Sequence, residues 1–158
     1  MLNTDEIILN ILLDAKTEGN ELLQHFKIGF PSKQVAEESN SIFVASVDSE
    51  AHDNGFDFQS FVDRVEVLIV TKNRDYRKAI SIIKTVSKEI IGLVKKNTDL
   101  FDNTPIVERV TPEYNMDFVL TRGHIMFRVN TSPQDFDISE ERTRICQILT
   151  DDMDVIEE

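Results

Sequence analysis

Cysteine, tryptophan, glycine and proline are all scarce in this chain: one Cys, no Trp, five Gly and four Pro in 158 residues. Each shortage excludes something. The lone Cys146 forms no internal disulfide. With it stand only His25, His52 and His124, widely separated, which is no ligand set for structural zinc. Gly19, Gly29, Gly55, Gly92 and Gly123 are too scattered to build a G-x-G-x-x-G turn or a phosphate loop, so nucleotide binding lacks its usual backbone cradle. No apolar run approaches the ~20 residues of a membrane helix. The opening MLNTDEIILNILLDAK carries acids where a secretory leader carries bases, so an intracellular protein without membrane contact is expected. Basic residues are short as well, 17 against 29 acidic, for a net charge of −12. A nucleic-acid grip draws its free energy from Lys and Arg displacing counterions, and this balance argues against one.

What is present reads as a globular domain. The hydrophobic share is 41% and the charged share 29%, and the length fits one domain. We assign residues 1–132 to that domain and 133–158 to an acidic, partly helical extension. From Asp135 to Glu158 there are nine acidic residues against Arg142 and Arg144. A charge run of this kind reads as a solvated face or tail.

Periodicity sets out the elements. Thr4 to Phe26 is helical, capped by Asn3 or Thr4, with Ile8, Ile11, Leu12, Ala15, Leu22 and Leu23 on one face; Gly19-Asn20 either frays it or divides it in two. Asn40–Asp48 has strand composition, and Phe61–Thr71 alternates, with Val65, Val67 and Ile69 on one side and Arg64 and Glu66 on the other. The polar stretch between them, with its Asn54-Gly55 turn signal, predicts an antiparallel hairpin. Leu68 and Val70 make the far end of the second strand apolar on both faces, so that end is expected to be covered on both sides or to meet a partner. Asn73 or Asp75 caps a helix to about Lys96, whose stripe is Ala79, Ile82, Ile83, Val86, Ile90, Leu93 and Val94. Thr104–Val110 predicts a short strand and TPEYN a turn. Residues 116–132 predict one long strand or two hinged near Arg122-Gly123, with Ile125, Phe127 and Val129 on the inner side and His124, Arg128 and Asn130 on the outer. A helix over Ser139–Leu149 follows, with Cys146 expected as a buried small hydrophobe. The expected class is α+β: about four largely antiparallel strands packed by helices, in the order α-β-β-α-β-β plus a C-terminal helix.

Chemistry-bearing clusters are few. In EAHDNGFD, His52, Asp53, Asn54 and Asp57 surround a glycine turn, but the alternating acids and closing Glu of a calcium loop are missing. An exposed hairpin tip explains the same residues more simply. Arg122-Gly123-His124 reads as a bend or bulge rather than an anion site. No catalysis, metal or cofactor is therefore expected.

The long hairpin beginning Val62-Asp63-Arg64-Val65, the crossover Asn73-x-Asp75-Tyr76-x-x-Ala79 and the closing strand Phe127-Arg128-Val129-Asn130 together resemble the tail terminator and tail-completion (head–tail joining) proteins of long-tailed bacteriophages. The resemblance covers about Asp5 to Ser132. It implies a virion tail component made in the host cytoplasm: a homo-oligomeric ring, usually hexameric, that caps the tail tube and gives the head connector a docking surface. DNA would only pass through the lumen, and the acids Asp48, Glu50, Asp53 and Asp57 of the hairpin would repel its phosphates. At the hairpin tip, Asp53, Phe56, Asp57 and Phe58 are the expected partner interface, since clustered exposed aromatics mark contact surfaces. Two other readings stand beside this one: a small adaptor or regulatory domain that binds a protein through a sheet edge, and a metal-dependent enzyme centred on His52, Asp53 and Asp57.

Overall fold

Strand alternation and helical stripes interleave along this chain, and burying both against each other yields two layers. The computed structural model describes residues 3–31, 40–53, 59–114, 120–131 and 139–156. In chain order the elements are α1 (Thr4–Thr17), β1 (Lys27–Gly29), β2 (Ser41–Asp53), β3 (Gln59–Thr71), α2 (Tyr76–Lys96), β4 (Ile106–Glu113), β5 (Thr121–Thr131) and α3 (Ser139–Ile156), with 3-10 turns at Leu23–His25 and Thr98–Leu100. The strands form one sheet in the order β1-β2-β3-β5-β4. The expected α+β class is observed. The expected four strands are five, because Lys27–Gly29 adds a short edge strand parallel to β2. Three residues are too few to show alternation, which is why the sequence hides them.

The core lies between one face of the sheet and α1 and α2. Ile42 and Val44 of β2, Val65, Val67 and Ile69 of β3 and Ile125, Phe127 and Val129 of β5 meet Ile8, Ile11 and Leu12 of α1 and Ile83, Val86, Ile90 and Val94 of α2. This inner set matches the alternation expected for β3 and β5. Asp75 caps α2 by accepting from Lys78 N–H at 3.0 Å, and Asn73 supports the cap by accepting from Asp75 N–H at 3.0 Å. Asn3 is the residue before α1, and its N–H donates to Glu6 Oε2 at 3.1 Å. The first helix does divide: α1 ends at Thr17, Gly19 takes a φ of +96°, and Asn20 Oδ1 accepts from Leu22 and Leu23 N–H to start the next turn.

Several expectations need correction. Thr111-Pro112-Glu113 is not a turn but the end of β4, where an edge strand tolerates proline's missing donor. Gly123 marks neither a hinge nor a bulge, since β5 pairs continuously with β3 through Gly123↔Ile69. Its lack of a side chain serves packing: a Cβ there would sit 2.2 Å from Ile83 Cγ2, so α2 rests directly on the strand. The C-terminal helix runs to Ile156 rather than Leu149, and Cys146 is exposed, not buried. Every residue from Ser139 to Asp152 is exposed, so α3 stands clear of the core. No helix among the described residues is long and apolar enough to cross a membrane.

Candidate assembly surface on the outer face of the sheet

The sheet face turned away from α1 and α2 carries an ordered set of charges, and two bulges put them there. In β2 the register shifts between Ser46 and Asp48, leaving Val47 as the extra residue. Without that shift, strict alternation from Ser46 would turn Asp48 to the inner face. With it, Asp48 pairs with Arg64 on the outer face and Ser49 pairs with Asp63 on the inner one. Asp63 is satisfied there by the hydroxyls of Ser49 and of Thr4, the latter at 3.0 Å, which ties the start of α1 to β3. A second shift, between Val107 and Arg109, makes Glu108 the extra residue of β4.

Arg64 is the hub. Its Nη1 donates to Asp48 Oδ1 at 3.1 Å and to Glu50 Oε2 at 3.2 Å, and its Nε donates to Glu108 Oε1 at 3.3 Å. One guanidinium thus joins β2, β3 and β4 across the sheet. Its hydrogen bonds to Asp48 and then Glu50 raise its pKa further above the ordinary arginine value. Arg128 Nε pairs with the same Glu108 at 3.9 Å, too long for a hydrogen bond, and is buried with no hydrogen-bond partner among the described residues.

A second clamp sits one step along β5. The His124 ring places Nδ1 against Glu66 of β3 and Nε2 against Glu113 of β4, the latter at 3.0 Å. Only the protonated ring donates from both nitrogens, so this position favours the imidazolium. Partial burial lowers the His124 pKa, but the hydrogen bonds it donates to Glu66 and Glu113 outweigh it and the net shift is upward. The carboxylates approach opposite edges of the ring, a geometry for bridging strands and not for converging on an ion. Among the described residues no three His, Cys, Asp or Glu side chains are grouped to hold a metal.

Beyond the charges the outer face becomes apolar. Phe43, Met126 and Val70 are buried there, with Leu68 half-buried beside Phe43. The expectation for Leu68 and Val70 is thus met most fully at Val70. The open edge, β4, exposes Ile106 and Val110.

The hairpin tip is placed only in part. Asp53 ends β2 opposite Gln59, and His52 pairs with Ser60, while Asn54, Phe56, Asp57 and Phe58 lie outside the described residues. Glu50 and Asp53, expected in the connection after Asp48, belong to β2, because both strands of the hairpin extend well beyond their β-branched cores. Sequence reasoning missed Glu108 and Glu113 as members of the outer-face network. The alternation of Arg64, Glu66, His124 and Arg128 was the available signal, but the bulges that complete the network have none.

Comparison with known protein families gives no match, and comparison with curated proteins gives none either. Among solved structures, the fold is similar to that of a chain from the virion of a native gene transfer agent (GTA) particle. The TM-score is 0.51 at 9% sequence identity, covering 78% of this chain and 93% of that one. At that identity the likeness is one of fold.

Proposed function

We propose that this chain is a structural subunit of a phage-like virion, forming a ring that caps the tail tube and presents a docking surface to the head. The observation that carries this reading is the fold shared with nearly the whole of a chain from a gene transfer agent virion. The sequence supports it through the hairpin, crossover and closing strand that resemble tail terminators. The outer sheet face supports it through its chemistry. Arg64 and His124 between them tie β2, β3, β4 and β5 together by ion pairs, which holds the outer face in one shape for contact with neighbours. The role is non-catalytic, and the partners are copies of this chain, the tail tube and the head connector. DNA crosses the lumen without specific binding, as a net charge of −12 favours.

The test adds purified protein to polymerising tail-tube subunits and measures tube length and end structure by electron microscopy. Rings at tube ends and arrested growth are the expected result. Unchanged tube growth, with the protein remaining monomeric and unbound, would overturn the reading.

A further inference from the structure

Two surfaces of this chain are complementary and both are open. The first is α3. Ile145, Ile148 and Leu149 are 45%, 47% and 56% exposed, and Glu141 and Asp152 fall on the same helical face, one turn before and about one turn after them. Over its full length α3 carries Glu140, Glu141, Asp151, Asp152 and Asp154 against Arg142 and Arg144.

The second is the outward side of α2. Arg77, Lys84, Lys88 and Lys95 are separated by seven, four and seven residues, which stacks them in one ridge along the helix. All four are exposed, and none meets a carboxylate among the described residues. Ile80 and Ile91, half-buried, border this ridge. In a chain with 29 acidic and 17 basic residues, a helix with six cations and the single acid Glu89 is a concentrated positive surface.

The spacing agrees as well as the sign. Glu141 and Asp152 are eleven residues apart, and so are Lys84 and Lys95; at 1.5 Å per residue each pair spans about 16 Å. We propose that α3 of one copy seats along the α2 ridge of a second copy, with Glu141 and Asp152 opposite Lys84 and Lys95 and the Ile145, Ile148 and Leu149 patch covering Ile91 and its flank. Donor and acceptor are different patches of the same chain, so the contact is heterologous and repeats from copy to copy until it closes. This specifies the interface of the ring proposed above and rests on that reading for its closure, although the pairwise contact stands without it.

Cys146, the one thiol and exposed on α3, offers a single labelling position beside the patch. The full chain, labelled there with a benzophenone maleimide, is photolysed at protein concentrations up to millimolar in about 0.15 M salt, where a Debye length near 8 Å screens the net repulsion between copies. Mass spectrometry then maps the adducts. Expected are adducts between chains within Tyr76–Lys96, reduced about tenfold in Lys84→Glu/Lys95→Glu and restored when that acceptor meets a labelled Glu141→Lys/Asp152→Lys donor. All four positions are exposed, and circular dichroism checks that each variant folds. Adducts confined to one chain, adducts mapping away from α2, insensitivity to the charge reversals, or no adduct between chains at millimolar protein each overturns the proposal. Failure of the tail-cap reading is distinguishable, because tube growth would then be unaffected while the adduct pattern and its charge rescue persist.

Discussion

Helices α2 and α3 are both amphipathic, yet one is half embedded and the other leaves its apolar side exposed. The difference lies in the continuity of the stripe. On α2, Ala79, Ile83, Val86, Ile90 and Val94 follow at three- and four-residue steps and all are buried. On α3, Ile145, Ile148 and Leu149 form one patch closed off at each end by Glu141 and Asp152. Seating that patch on an apolar sheet would drag two carboxylates with it, and burying an unpaired carboxylate costs far more than three half-exposed aliphatics return. A long unbroken stripe makes a core helix. A short one fenced by charge makes a helix that waits for a charged partner.

The widest gap between the two helices should be seen at Ile83. It is fully buried and lies against Gly123, so Ile83→Ala should cost about 2–5 kcal/mol, measured by denaturant unfolding of the monomer. A loss below about 1 kcal/mol would mean that α2 is not the organising helix of this core.

Gly123→Ala tests the same contact from the strand side. The added methyl meets Ile83 Cγ2 at 2.2 Å, so α2 must lift or β5 must shift, at about 1–3 kcal/mol. The two substitutions should not add. Ile83→Ala removes the atom that Gly123→Ala collides with, so the double variant should be more stable than the sum of the single losses predicts. Strict additivity would place the glycine's role elsewhere.

How much of this was readable beforehand follows from which signals are local. The α2 stripe, its Asp75 cap and the inner faces of β3 and β5 depend on periodicity within one element, and each agrees with the structure. Gly123 illustrates the opposite case. From sequence it looks like a bend, and only the position of Ile83, forty residues away in the chain, shows that it is a seat. The bulges at Val47 and Glu108 are likewise invisible, since one extra residue changes the phase of a strand without changing its composition. The outer-face network therefore emerged only with the register. Cys146 departs from its expected burial for a related reason: helical spacing shows that Ile145, Ile148 and Leu149 share a side, but not whether that side is covered.

On the outer face the comparison becomes one of pH. The folded His124 pKa is raised above its unfolded value, so the charged ring contributes stability that is fully present below about pH 6.5 and is lost as pH climbs through the folded pKa. Glu66 and Glu113 are the acids that face it. His124→Asn should therefore cost more at pH 6 than at pH 8.5. The difference should be below about 1 kcal/mol because the clamp is partly exposed. Thermal unfolding of both proteins at the two pH values decides it, and an equal loss at both would show that the clamp does not favour the protonated ring.

The smallest effect is expected on α3, and it is the one that most sharpens the contrast with α2. Ile148→Ala removes the same chemical bulk as Ile83→Ala, from a side chain that is 47% exposed instead of fully buried. No cavity is created, little transfer free energy is lost, and alanine's higher helix propensity offsets part of what is. At micromolar protein, where copies are apart, the change in unfolding free energy should stay within about 0.5 kcal/mol. Two isoleucines at equivalent places in amphipathic helices would then differ several-fold in what they hold together. A loss of about 2 kcal/mol or more at that dilution would mean that α3 packs against its own chain in solution, and its apolar patch would no longer be free to meet another copy.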